Sequence, residues 1–272
     1  MPDWLAAILL GVIEGITEFL PVSSTGHLLL AQHWLPPKTD TFNVIIQVGA
    51  MLAVLAVFWR RIGEMVSKRH EPAQRDYLQK LAIAFVITSI GGLAMERAGW
   101  KLPTNLAPVA WATLIGGIVI LLVESRQRTA AQSELKAAAA SISWQLAIAA
   151  GAAQILAAAL PGTSRSGAVI VILLLCGIAR PAAVEFSFLL GLPTIMAAGG
   201  YKLLKALRGP GLEEPVAILL LGTATAAVMA FVAARWLLGY VQQNDLRPFG
   251  WYRIALGLGL LAMLARNPSA TG

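Results

Sequence analysis

The sequence predicts an all-α polytopic membrane protein, with six transmembrane helices plus two re-entrant helical hairpins in an inverted-topology repeat. Three observations carry that prediction. The 272 residues are 57% hydrophobic and 13% charged, with mean hydropathy +0.71, whereas a soluble domain carries about 25% charged residues. Six stretches are long and apolar enough to cross a bilayer core. Two further apolar stretches, at half-length spacing, are each broken by a run of Pro, Gly, Ser and Thr. The composition excludes a disordered chain, a collagen-like fibre and a nucleic-acid-binding domain as the main identity. The net charge of +7 therefore reflects loops meeting lipid headgroups rather than a polyanionic partner. A single cysteine, Cys176, excludes an internal disulfide framework.

Taken in order, the first twenty residues hold Asp3, Glu14 and Glu18 and no Lys or Arg. They lack the basic start of a cleavable signal, so the N-terminus is expected to be mature. Residues 4–35 are apolar but broken at Pro21 and at Ser23, Ser24, Thr25, Gly26 and His27. Spans follow over residues 42–59, 81–98 and 109–123. Residues 142–179 are broken by Pro161, Gly162, Thr163, Ser164, Arg165, Ser166 and Gly167, and spans follow over 183–200, 215–234 and 250–265. Broken backbone is tolerated at membrane depth only where protein or water satisfies it, so each interrupted stretch is expected to dip in and return to its own side. All eight Trp lie within a few residues of a segment end, as interfacial anchors do.

The chain is expected to form one integral membrane domain, residues 1–272, with halves 1–135 and 136–272. An offset of 140 matches Pro21 with Pro161, Leu20 with Leu160, Ser24 with Ser164, Ser23 with Thr163 and Glu14 with Gln154. Three crossings per half is an odd number, which inverts the second half and brings both interrupted segments toward the midplane. If loop 60–80 is cytoplasmic, that side carries 12 of the 21 Lys and Arg. The other side carries eight: Lys38, Arg97, Lys101, Lys202, Lys205, Arg208, Arg253 and Arg266. Both termini are then outside, with Thr39 and Leu102 outside and Ser67 inside.

Ionisable groups within membrane segments are costly and mark function. The only charges between Trp4 and Pro37 are Glu14 and Glu18, and the only one between Ile142 and Ala179 is Arg165. Glu14 and Glu18 share a helical face and repel unless a proton, a divalent cation or an Arg offsets them. Arg165 suits that role as a salt bridge between the hairpins, and its planar fork also suits a phosphate. Ser23, Ser24, Thr25, Thr163, Ser164 and Ser166 are small donors beside Gly26, Gly162 and Gly167, and glycine lets backbone N–H groups approach an anion. Such turns also serve plain helix packing. His27 shares the first loop and is a candidate acid–base group; with Glu14 and Glu18 it could also ligate a divalent cation. His33 and His70 look interfacial, Glu185 and Gln47 are second-tier polar groups near span starts, and Glu96 with Arg97 reads as a helix-end pair.

EGITEFLPVSSTGH (Glu14–His27) and PGTSRSG (Pro161–Gly167), with FNVIIQVGA, FWRR and EFSFLL in order, closely resemble the bacterial undecaprenyl-pyrophosphate phosphatases of the bacitracin-resistance type. The resemblance covers nearly the whole chain. It implies an inner-membrane enzyme that removes the terminal phosphate of undecaprenyl pyrophosphate, regenerating the lipid carrier for envelope polymers, with its site open to the periplasm. It places functional weight on Glu14 and Glu18, on Ser24, Thr25 and His27, and on Ser164, Arg165 and Ser166, and implies dependence on Mg²⁺ or Ca²⁺. The expected set is Glu18, His27, Arg165 and Ser24 for catalysis, and Ser23, Thr25, Gly162, Ser164, Ser166 and Gly167 for the pyrophosphate. Glu14 and Glu18 are expected to hold the metal. The nucleophile stays open between Ser24, His27 and water. Val169 stands where relatives often have Thr and is left out of the set. The rival reading is an inverted-repeat transporter or lipid-carrier flippase, using the carboxylates as a proton relay. The partners expected are the polyprenyl lipid and the bilayer, with no nucleic acid; a homodimer stays open.

Overall fold

Every span expected from hydropathy is a helix, and each outlasts its apolar core. The computed structural model describes residues 1–100, 106–133, 141–209 and 211–266. Among these it has ten helices and no strand. The first half comprises α1 (Asp3–Phe19), α2 (Ser24–Ala31), α3 (Asp40–Ser67), α4 (Pro72–Arg97) and α5 (Leu106–Ser133). The second comprises α6 (Trp144–Ala159), α7 (Arg165–Leu175), α8 (Arg180–Arg208), α9 (Val216–Tyr240) and α10 (Arg247–Arg266). Six of them, α3, α4, α5, α8, α9 and α10, are long and apolar enough to cross a membrane. The chain is a multi-pass membrane protein. All eight Trp are 46% to 65% exposed, so the largest amphipathic side chains line the outside of the bundle, where lipid and headgroups lie.

The supposed loop 60–80 is a correction. α3 runs on to Ser67 and α4 starts with Pro72 in its first turn, so the basic residues there mostly decorate helices. A helix end that emerges into water keeps its backbone bonds while its side chains turn polar, and hydropathy alone registers that as a loop. Likewise α5 continues to Ser133. The expectations for Lys101, Leu102 and Lys136 lie outside the described residues.

The short helices pack against the long ones. α1 lies along α9, α6 lies along α4, α3 touches α8 and α9, and α5 pairs with α10. On α1, Gly11 and Gly15 face α9 so closely that a Cβ at Gly15 would lie 2.5 Å from the carbonyl oxygen of Ala226. Small residues give membrane helices their contact area, because apolar surface gains nothing by leaving lipid. Ion pairs close the ends. Lys38 meets Asp3 at 3.2 Å and Glu214 at 3.1 Å, joining the start of α1 to the approach to α9. At the opposite end the buried Glu124 takes Arg180 Nε at 3.0 Å and the Leu246 amide at 3.0 Å, joining α5, α8 and the start of α10. Glu185 binds Arg61 at 2.9 Å, and Glu96 binds Lys205 at 2.9 Å and Tyr201 at 3.0 Å rather than Arg97. His33 sets its ring edge against Trp34.

Candidate active site

α1 ends one residue before Leu20 and α6 one residue before Leu160, so the two Pro-containing loops begin in step. They do not finish in step. Ser23 caps α2, its hydroxyl accepting from the Gly26 amide, and Ser164 caps α7, its hydroxyl accepting from the Gly167 amide at 3.1 Å. The second loop thus holds one more residue, and the structural counterpart of Ser164 is Ser23, not Ser24. Arg165 therefore stands where Ser24 stands, as first residue of its helix. A side-chain alignment in apolar sequence cannot see a one-residue insertion; the cap geometry can.

Ser23 (φ 76°) and Ser164 (φ 69°) are the only non-glycine residues with positive φ among those described. A β-carbon in that region costs on the order of 1–3 kcal/mol and persists where surrounding structure imposes it. At both caps the two loops lie against each other. A Cβ at Gly26 would lie 3.6 Å from Gly162 Cα, and one at Gly167 would lie 3.4 Å from Pro21 Cβ. Arg165, first in α7, reaches across to Glu18 on α1, and Ser24, first in α2, reaches back to it.

At that junction sits Glu18, in the last turn of α1, with its side chain 4% exposed. One carboxylate oxygen accepts from Arg165, the other from the Ser24 hydroxyl. Ser166 reaches the Glu18 carbonyl at 3.4 Å, and its own carbonyl accepts from Ser187 at 3.3 Å. Phe19, Met51 and Phe188 form the apolar wall beside this cluster. Glu14, one turn back on α1, is fully buried, and neither of its carboxylate oxygens has a hydrogen-bond partner. Two carboxylates thus face one guanidinium, which leaves one negative charge to be met by a proton or a cation.

The remaining expected residues divide. Ser23 and Ser164 spend their hydroxyls on caps, although Ser164 Oγ also lies 3.4 Å from Ser166 Oγ. Gly26 and Gly167 spend their amides there, and Thr25 sits half-buried in the first turn of α2. Val169 is fully buried in the core. His27 lies one turn beyond Ser24 and is held apart from Glu18: Nδ1 donates to the Ser23 carbonyl at 2.7 Å, and Nε2 meets the Tyr252 hydroxyl at 2.6 Å, the rings stacked 5.7 Å apart. A carbonyl only accepts, so Nδ1 carries a proton, and in the neutral ring Nε2 is the acceptor. Tyr252 and its neighbour Arg253 were missed as site residues. Both lie inside the expected span 250–265, and an ionisable residue within a span was the signal that pointed to them.

A cavity of about 390 Å³ between α3, α4, α6 and α8 reaches Arg165. Its walls include Ile155 and Leu93, and its far rim carries Tyr201, Lys202 and Lys205. Gln154, the sequence counterpart of Glu14, lines it with both amide atoms buried and unpartnered. For a metal, no cluster of three or more His, Cys, Asp or Glu is arranged to bind one among the described residues. The unpartnered oxygens of Glu14 do fit a hard cation whose other ligands are phosphate oxygens and water, whereas those of Glu18 are engaged.

Fold and site together define an all-helical, multi-pass membrane protein with a carboxylate, guanidinium and hydroxyl centre enclosed by its helices. The model of the family described as "Bacitracin resistance protein BacA" matches residues 7–259. The chain belongs to that family. It is 48% identical over 264 residues to the undecaprenyl-diphosphatase of Rhizobium etli (strain CIAT 652), covering 96% of this chain and 97% of the relative. It is 45% identical over 266 residues to the undecaprenyl-diphosphatase of Xylella fastidiosa (strain 9a5c), covering 97% and 100%. It is 42% identical over 274 residues to that of Xanthomonas axonopodis pv. citri (strain 306), covering both chains fully.

Proposed function

We propose that this protein is an undecaprenyl-diphosphatase, which hydrolyses undecaprenyl pyrophosphate to undecaprenyl phosphate and inorganic phosphate, recycling the cell-wall lipid carrier and conferring bacitracin resistance. The relatives' names and the family support the activity. The observation that carries the site is the Glu18 carboxylate held between Arg165 and Ser24 inside the helices. Arg165 releases Glu18 to grip the terminal phosphate with its fork. The Ser24 hydroxyl attacks that phosphorus, its proton passes to Glu18, and the bond to the bridging oxygen breaks, so that undecaprenyl phosphate leaves with the electron pair. Water then attacks the phosphorus, passing a proton to His27, while the bond to the Ser24 oxygen breaks and that oxygen takes back the proton held by Glu18. Ser166 steadies the phosphate oxygens, and such reactions depend mainly on position and charge. Mg²⁺ or Ca²⁺ held by Glu14 would neutralise the oxygens' charge.

The architecture reads as an inverted repeat of two re-entrant hairpins and three spans each. The packing supports it: exchanging each helix for the one five places on turns the α1–α9 contact into α6–α4 and returns α3–α8 and α5–α10 to themselves. The cavity reaching Arg165 takes the headgroup-proximal part of the lipid, with Gln154 as a neutral hydrogen-bonding partner in place of a second carboxylate. Its Lys202 and Lys205 rim lies at the end assigned to the periplasm in an inner membrane. The test is phosphate release from undecaprenyl pyrophosphate by the purified protein in detergent, where no transmembrane gradient exists. Steady turnover supports the hydrolase. Lipid movement in vesicles without phosphate release would support the transporter instead.

A further inference from the structure

Arg253, on α10, is the largest side chain among those fully buried, 1% exposed, and no carboxylate pairs with it among the described residues. A buried guanidinium is costly unless its donors are satisfied. All five are, by five carbonyls from three segments. Nη1 donates to Pro21 at 3.0 Å and Thr163 at 3.1 Å. Nη2 donates to Gly162 at 2.9 Å and Ala112 at 3.0 Å, and Nε donates to Thr113 at 3.2 Å. Pro21 lies two residues before the cap of α2, and Gly162 and Thr163 directly before the cap of α7. Ala112 and Thr113 are mid-helix carbonyls of α5, a fixed wall. Gly116 makes the room: a Cβ there would lie 2.0 Å from Nη2 and 2.5 Å from Cζ.

We infer that Arg253 is a positioning residue for the reaction: one rigid guanidinium plane sets the spacing of the two loops, and so registers Ser24 and Glu18 on one side against Arg165 and Ser166 on the other. This rests on the phosphatase reading. The plane is what matters, not the charge. Lysine keeps the charge but has three donors on one point and no fork, so it cannot hold both loops and α5 together. Loops free to part by an ångström misplace the hydroxyl and the phosphate clamp, which costs turnover far more than binding.

The experiment compares R253K, R253M and G116A with the wild type as purified full-length proteins in detergent. Thermal unfolding and size-exclusion profiles give the folded fraction, and kcat and KM are expressed per folded molecule. The wild type must release phosphate from undecaprenyl pyrophosphate; if it does not, the phosphatase reading fails and the inference with it. Given that activity, R253M and G116A are expected to lose about 100-fold in kcat per folded molecule with KM little changed. R253K should recover only a small part. G116A is the decisive variant, since it keeps the arginine and only displaces its plane. Wild-type kcat per folded G116A or R253M protein, a loss confined to KM, or failure of all three variants to fold would each overturn the positioning role.

Discussion

The two carboxylates of α1 sit one turn apart and share the same surroundings, yet their hydrogen bonding differs. Glu18 is engaged by Ser24 and Arg165, whereas both oxygens of Glu14 are buried without partners. Glu18→Gln is therefore expected to lower kcat by about 100-fold at any metal concentration, because it loses the base and the anchor at once. Glu14→Gln should instead raise the Mg²⁺ or Ca²⁺ concentration needed for half-maximal phosphate release. A metal titration of both single mutants and the double mutant checks this. A larger loss from Glu14→Gln with unchanged metal response would contradict both assignments. His27 gives a second test, since its ring is held between the Ser23 carbonyl and Tyr252. Tyr252→Phe should reduce turnover less than His27→Ala does, and should add nothing in a His27→Ala background, as coupled residues behave. Independent, additive losses would show that Tyr252 does not act through His27.

At the scale of elements, sequence made the six spans legible, because about 20 apolar residues per crossing leave a mark that no local detail erases. It marked both interrupted segments for the same reason: Pro and Gly beside hydroxyls stand out in an apolar run. It did not show which serine caps which helix, since Ser23 and Ser24 are chemically alike and only the backbone dihedral tells them apart. Nor did it show the role of Arg253, which counts as one more basic residue when tallied by side of the membrane. Arg165 and Glu18 were legible as partners because Arg165 is the lone charge of its interrupted segment and Glu18 shares its own with Glu14 only. The packing of α1 on α9 carries its own prediction. Gly15→Val forces a side chain into the Ala226 backbone and Met229 and should destabilise the protein by about 1–3 kcal/mol. Thermal unfolding in detergent reads this directly, and an unchanged midpoint would mean that the α1–α9 contact is looser than described.

For the whole molecule, the proposed inverted repeat, with three crossings per half, implies opposite membrane orientations for the two halves. In a Cys176→Ser background, a cysteine at Thr39 should be labelled by an impermeant reagent from outside and one at Ser67 only from inside; labelling of both from one side would reject the arrangement. The proposed lipid phosphatase chemistry needs a shielded anion clamp, and the group proposed for it is Arg165, which pairs with Glu18 between the two loops. The most direct test of the account is therefore phosphate release from undecaprenyl pyrophosphate by purified Arg165→Lys protein beside the wild type. Lysine keeps the charge and loses the fork. The account predicts a loss of about 100-fold in turnover with normal insertion and folding, whereas turnover near the wild-type rate would contradict the role given to Arg165 and, with it, the site.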